Sequence, residues 1–332
     1  MTRLPRADLE HLILLASRAP SVHNTQPWQF VPLDDGVQLR ADHSRQLAVL
    51  DPDGRQLTMS CGAALHHLNV AAHAMGFEVT TTLLPDDGDR DLLADIRLRR
   101  AALASTEEID RAVDVLHRHT YRGRFTEEPL PEGFLDRLRQ AVEDEGAMLR
   151  LLRHEELLVL GVLLEHAEQD LLATPGYAEE LASWVWPAGR STDDETVDLR
   201  TDGLPAVAVA HGPDRAEALP GRHFRDEAPA DHDATPAAEH PTVVLLTTVA
   251  DTAYDWMVAG RALSALLLRA THEGVAAQPL GQATDVPAER LELRRQLGVI
   301  GVPQLLLRLG RAEATPQTPR RPVTEVLRPP EP

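Results

Sequence analysis

Apolar positions along this chain switch repeatedly between a helical and a strand period. Ala7 to Arg18 places Leu9, Leu12, Ile13, Leu15 and Ala16 on one helical face, and Pro20 stops that helix. Trp28 to Leu33 and Val37 to Ala41 read as strands around an Asp34-Asp35-Gly36 turn, a hairpin signal. Arg55 to Met75 is a long Ala- and Leu-rich helix closed by Gly76, a glycine typical of the position after a last turn. Glu78 to Leu84 and Ala94 to Arg99 read as two further strands, separated by an acidic turn at Asp86-Asp87-Gly88-Asp89.

A second unit starts near Ser105, where Ser105-Thr106-Glu107-Glu108 opens a helix with acidic side chains at its positive end. That helix runs to about His117. Glu132 to Glu143 reads as the next helix, Met148 to Arg153 as a strand and Glu155 to Leu172 as a third helix. Pro187 to Pro241 is rich in Asp, Pro, Gly and Ala and lacks periodicity. It is too long for an ordinary connection, so it is either a functional loop or a partly disordered flap. Thr242 to Val249 is an apolar strand, Ala253 to His272 a helix closed by Gly274, Pro287 to Leu297 a helix and Gln304 to Leu309 a strand. The segments Cys61 to Gly76 and Gly260 to Gly274 share small residues, a Leu stripe and a closing Gly, as two degenerate copies of one unit would.

The 332 residues carry 33 basic and 52 acidic side chains, a formal charge of −19. That balance argues against a nucleic-acid partner and against an anionic membrane surface. No apolar run reaches the ~20 residues of a membrane span, and the first residues contain no apolar signal region. Cys61 is the one cysteine, so a disulfide within the chain and a cysteine zinc cage are excluded. These features predict a cytoplasmic protein. All basic side chains are Arg, with no lysine, so neither Schiff-base nor P-loop lysine chemistry is available. An anion here is held by Arg, His or backbone N–H groups.

The chain lacks GxGxxG after a strand, GxxxxGK[ST] and GxSxG. His211, His223, Asp231, His232, Asp233 and His240 fit no ligand spacing and read as a solvated acidic loop, so no metal site is expected. Cys61 lies in an apolar helix and reads as a buried structural thiol.

Three segments hold more polar chemistry than their local structure requires. Between Ala19 and Trp28, Ser21, His23, Asn24 and Gln26 crowd a connection bounded by Pro20 and Pro27, where one helix cap would suffice. Arg118, Arg122 and Arg124 cluster around His119, Thr120 and Tyr121; compensating a helix dipole accounts for one Arg comfortably and for the others less easily. In Gln278-Pro279-Leu280-Gly281-Gln282 the glycine permits close approach of a flat ligand, and in Pro319-Arg320-Arg321-Pro322 an Arg between prolines loses little entropy on binding phosphate. Either of these two segments alone is equally a simple turn or tail.

The segment PSVHNTQPWQF resembles the flavin-contacting segment of the FMN-dependent nitroreductase superfamily, and RHTYRGRFTEEPLP resembles its Arg-rich N-terminal segment. From Gly260 through QPLGQ to PRRP the chain follows the superfamily order, and the resemblance covers nearly the whole chain apart from 187–241. Ordinary members carry both segments in one subunit, and two subunits build each flavin site. Here PSVHN and RHTYR lie in successive units, which resembles the tandem, Acg-type members.

The resemblance implies an α+β fold of two tandem nitroreductase-like units, 1–104 and 105–332, forming an intramolecular pseudo-dimer with a lid-like insertion at about 187–241. It implies FMN as cofactor, NAD(P)H as co-substrate, and a small organic electron acceptor such as a nitroaromatic or quinone. The alternative is an FMN-sequestering protein whose lid covers the flavin and permits little turnover. Carried over residue by residue, Pro20, Ser21 and Asn24 contact the flavin, with His23 and Gln26 adjacent. Arg118 and Thr120 reach its pyrimidine edge or ribityl chain, with Arg122 beside them. The backbone at Leu280 and Gly281 approaches N5, and Arg320, or alternatively Arg321, binds the phosphate. The chemistry is centred on the flavin, so no side-chain catalyst is expected, and the assembly is a monomeric pseudo-dimer or weak homodimer.

Overall fold

The computed structural model describes residues 4–101, 103–186, 201–205, 219, 222, 242–312 and 318–329. Helix α1 (Arg6–Ala16) leads into strands β1 (Trp28–Leu33) and β2 (Gly36–Ala41), then α2 (Arg55–Ala74), β3 (Phe77–Leu83) and β4 (Leu92–Arg100). After α3 (Thr106–His117), the chain forms α4 (Phe134–Glu143), β5 (Met148–Leu151), α5 (His154–Ala173), α6 (Tyr177–Trp184) and the short parallel pair β6 (Val185–Trp186) and β7 (Leu204–Pro205). It continues with β8 (Thr242–Thr248), α7 (Ala253–His272), β9 (Ala276–Leu280), α8 (Gln282–Asp285), α9 (Pro287–Gln296), β10 (Val302–Gly310) and α10 (Val323–Val326).

The two large sheets follow one path. The first has the order β1-β2-β4-β3 and the second β5-β8-β10-β9. All six neighbouring pairs are antiparallel. Each sheet is preceded by one helix (α1 or α4) and has a 20-residue helix between its second and third strands in the chain, α2 or α7. Helices α5 and α6 and the stretch through 241 fall between β5 and β8, and α8 and α9 fall between β9 and β10.

The β1–β2 register closes at Leu33 opposite Gly36, so the hairpin turn is the two residues Asp34 and Asp35, and Gly36, expected in the turn, opens β2. Ser105 and Glu108 make a reciprocal cap that starts α3, satisfying N–H groups that the first turn cannot pair internally. Strand β3 alternates between buried or half-buried and exposed positions, and one face of its sheet meets α1 and α2. Strands β8 and β10 are almost continuously buried because α4 and α7 cover one side of their sheet and α5 and α9 the other.

The two long helices cross at glycines. A Cβ on Gly62 would lie 2.4 Å from the Met257 carbonyl oxygen, and one on Gly260 would lie 1.9 Å from that of Met59. Only hydrogen at both positions allows the backbones to meet. The chain's end ties the units together again: the Arg328 N–H donates to the Phe30 carbonyl at 2.8 Å, and Leu327 bridges Phe30 in parallel. This return carries Arg320 and Arg321 from the second unit onto the α1–β1 connection of the first.

Candidate functional site

The α1–β1 connection has a backbone that side-chained residues rarely adopt. His23, Asn24 and Gln26 have φ values of 45°, 56° and 51°, each with an energetic cost that surrounding contacts must offset. Those contacts are visible. Ser21 Oγ accepts from the Gln26 N–H at 3.0 Å. Asn24 Nδ2 donates to the carbonyls of Gly203 at 2.9 Å and Pro319 at 3.1 Å, and its Oδ1 accepts from Arg320 Nη1 at 3.1 Å. Gln26 Nε2 donates to the Thr201 carbonyl at 2.8 Å, while its Oε1 accepts from the Arg321 N–H at 2.8 Å. The amides of Asn24 and Gln26 therefore clip residues 201–203 and 319–321 onto this connection. Arg45, which ion-pairs with Asp202, adds a further clip by donating to the Thr25 carbonyl at 2.5 Å.

Beside these clips lies a concentration of positive charge. Arg118 stands at the C-terminal end of α3 and donates through Nη2 to the Arg18 carbonyl at 3.3 Å. Arg320 Nη2 donates to the same carbonyl at 3.2 Å and to that of Ala19 at 3.3 Å. The side chains of Arg18, Arg118, Arg320, His119 and Thr318 line a small cavity, with Val115 and Leu116 completing it, and no carboxylate is among them. Arg118 Nε and Nη1 and Arg320 Nε are buried and have no hydrogen-bond partner among the described residues. Burial, reinforced by Arg122 and Arg18, pushes the Arg118 guanidinium down to about 10. Burial, together with Arg118 and Arg18, pushes Arg320 well down. Buried guanidinium N–H groups without acceptors are costly, and an anion with several oxygens would satisfy them. The residues present therefore fit a phosphate group.

A second cluster lies on the other side of His23. Its Nε2 accepts from Arg222 Nη1 at 2.9 Å, and burial with the nearby Arg222 and Arg122 holds the imidazole neutral, well below its ordinary value. Arg222 Nη2 reaches Asp285 Oδ2 at 2.6 Å. The other carboxylate oxygen takes Arg55 Nη2 at 2.9 Å and the Gln56 amide. Gly281 makes room for this carboxylate, because a Cβ there would sit 2.7 Å from Asp285 Oδ2. Burial pushes the Tyr177 phenol up to about 12, with Arg222, Glu168 and Asp285 as its charged neighbours.

The structure thus gathers Ser21, His23, Asn24 and Gln26 in one connection and brings Arg118 and Arg320 to its start. Arg118 shares this small cavity with Arg320. The pyrimidine-edge or ribityl role expected of it therefore gains a competing placement. Arg321 is spent on Gln26 and on Glu325, to which its Nη2 donates through the carbonyl at 3.1 Å. Pro20, Thr120 and Arg122 are half-buried. The Tyr121 N–H fastens the RHTYR segment to the Ala277 carbonyl of β9 at 3.1 Å. Leu280 ends β9 in the core. Cys61 is buried as expected, its thiol donating to the Pro27 carbonyl at 3.3 Å.

Sequence reasoning missed Arg18, Arg222 and Asp285. Arg18 was available as the last residue of the first helical pattern, directly before the polar connection. Arg222 and Asp285 carry no local signal. The histidines and aspartates at 211, 223, 231, 232, 233 and 240 lie outside the described residues, as does most of 187–241. Among the described residues no group of three or more His, Cys, Asp or Glu is placed to hold a metal ion, and no helix is long and apolar enough to cross a membrane.

Residues 1–56, which include the whole PSVHNTQPW connection, match the family model described as "Nitroreductase family". The chain is 32% identical to "Putative NAD(P)H nitroreductase Rv3131" of Mycobacterium tuberculosis, with 99% of this chain and 94% of that protein covered. The chain belongs to the nitroreductase family. A second relative in this family, "Putative NAD(P)H nitroreductase acg" of the same organism, is 30% identical, with 96% of this chain and 95% of that protein covered. A solved structure described as "a putative nitroreductase" from Anabaena variabilis covers 94% of this chain and 90% of its own at 12% identity and a TM-score of 0.48. As a nitroreductase-family member this chain is a nitroreductase-like oxidoreductase of mixed α and β structure, and its two similar sheets fit a tandem arrangement.

Proposed function

We propose that this chain binds one FMN between its two units, 1–104 and 105–332, and uses it to pass reducing equivalents from NAD(P)H to a small organic acceptor such as a nitroaromatic or quinone. The observation that carries this reading is the set of buried Arg118 and Arg320 N–H groups without acceptors among the described residues, beside Arg18 and in a cavity whose described lining contains no carboxylate. Arg118 and Arg320, with Arg18, would hold the phosphate. The connection from Pro20 to Gln26, braced in its high-energy backbone, would present Ser21, His23 and Asn24 to the rest of the cofactor, with Thr120 and Arg122 approaching from the second unit. Leu280 and Gly281 would approach from the second unit, with Arg222 between Gly281 and His23. Bound FMN would supply reversible two-electron chemistry, and the protein's part is position, charge and exclusion of water. The assembly is a monomeric pseudo-dimer or weak homodimer in the cytoplasm, acting on small molecules and not on nucleic acid.

A second reading has its own support. Thr201, Asp202, Gly203 and Arg222, all from the 187–241 stretch, bond to Gln26, Arg45, Asn24 and His23. A lid seated on the cofactor connection would shield a bound flavin and make this an FMN-sequestering protein.

Visible spectra of the purified protein, before and after anaerobic NADPH and NADH, separate the readings. A yellow protein that one nucleotide bleaches is a working reductase. One that stays yellow with both shields its flavin, and replacing 187–241 by a short linker then increases NAD(P)H oxidation. A colourless protein that cannot be loaded with FMN contradicts both readings.

A further inference from the structure

Arg222 bridges the two units. One Nη meets His23 of the first unit and the other meets Asp285 of the second, beside Gly281. The two described bonds occupy two of the five N–H donors of a guanidinium. Asp285 does not cancel this charge alone, because the same carboxylate also serves Arg55. Arg122 faces His23 as a further cation, and Glu168 faces Arg222 as a further anion. Arg55 in turn faces Asp51 and Asp251 as well as Asp285, with Arg290 as a further cation, while His23 and Tyr177 are neutral. Arg222 is 9% exposed, so its field is weakly screened by water.

We propose that Arg222 selects the electron acceptor, and that the acceptor it selects carries a carboxylate or an equally compact anionic group. The inference rests on the flavin reading above. An anion entering beside His23 would meet a guanidinium already oriented by Asp285, so little ordering would be required on binding. A neutral acceptor of the same shape would gain nothing from that charge.

The test compares 4-nitrobenzoate with 4-nitrobenzyl alcohol on the FMN-loaded protein, in the wild type, Arg222→Lys and Arg222→Ala. It also measures binding of benzoate and benzyl alcohol to the same proteins by calorimetry. The wild type favours the carboxylate in kcat/KM by about tenfold or more, chiefly through KM. Arg222→Ala brings the ratio close to one while FMN stays bound, and benzoate binding weakens in parallel. Arg222→Lys keeps part of the preference, because it preserves the charge without the planar fork. Equal wild-type handling of the two acceptors, or an Arg222→Ala change of the same factor for both, overturns the selection. An equal increase for both also favours the shielding role. A chain that takes up no FMN overturns the flavin reading and this inference with it, whereas FMN uptake with equal binding of benzoate and benzyl alcohol overturns this inference alone.

Discussion

The two units take the same step, from leading helix to first strand, in opposite ways. In the first, residues 17–27 separate α1 from β1 and include three side-chained residues at positive φ. In the second, residues 144–147 separate α4 from β5 in a short turn around Gly146, whose φ is 87°. The long connection exposes the Arg18 and Ala19 carbonyls, which orient Arg118 and Arg320. The short one carries Asp144 and Glu145, and Glu145 ion-pairs with Arg261 and lies 3.6 Å from His66 Nε2. Identical strand order therefore does not produce two equivalent sites. The two connections differ in length and charge, and on the flavin reading proposed above the first receives the phosphate.

The comparison depends on the crossing of α2 and α7, and breaking that crossing has the largest expected effect. Gly260→Ala drives a Cβ into the Met59 carbonyl. It should lower stability by about 2–4 kcal/mol, read from urea unfolding midpoints. A change within about 0.5 kcal/mol, the range of ordinary surface substitutions, would show that the helices separate freely at this point.

The next effect concerns the anion side. Arg320→Ala and Arg118→Ala should each weaken FMN binding by about 1.5–3 kcal/mol. The double variant should lose less than the sum, because the two side chains share the Arg18 carbonyl. Fluorescence titration of apo-protein with FMN checks both values, and unaltered affinity in Arg320→Ala would move the phosphate elsewhere.

The helix starts provide a third contrast. Helix α7 begins at an exposed reciprocal cap of Thr252 and Asp255. Helix α2 begins over the buried Asp51 carboxylate, which accepts from the Gln56 and Leu57 N–H groups at 2.9 and 2.8 Å. Burial nevertheless dominates and pushes Asp51 up to about 6. A carboxyl raised in the folded state binds its proton more tightly there than in the unfolded chain. Its stabilising share is full below about pH 4 and is lost as pH rises to about 6. The stability advantage of wild type over Asp51→Asn should therefore shrink by about 2 kcal/mol between pH 4 and pH 7. A difference that grows over this range would reverse the assignment.

The smallest expected effect is on the acidic side. Asp144→Asn with Glu145→Gln removes two carboxylates from a side that also carries Arg111, Arg137, Arg261 and Arg269, but it supplies no counterpart of the 17–27 connection, so FMN stoichiometry should stay at one per chain. A second equivalent bound by this variant would mean that charge alone silences that side.

Much of this architecture is readable locally. The β1–β2 hairpin, the Ser105 cap and both long helices follow from turn residues, capping residues and periodicity within short windows. Strand β9 was hidden because Pro279 interrupts Ala276–Leu280, and pairing with β10 overrides that local signal. Helix α6 was hidden because only Tyr177 and Leu181 mark its buried face. The candidate site divides in the same way. His23, Asn24, Arg118 and Arg320 stand out by residue type and crowding. The meeting of Arg118 with Arg320 depends on the C-terminal return along β1, and Arg222 and Asp285 meet across a sequence separation that no periodic pattern encodes.

The central claim is that one anion-holding flavin site is shared between the units. Titration of the apo-protein with FMN, in parallel for wild type and Arg118→Ala/Arg320→Ala, tests it most directly. The account predicts one FMN per wild-type chain and a loss of affinity of about a hundredfold or more in the double variant. Two FMN per chain, or equal affinity in both proteins, would contradict it.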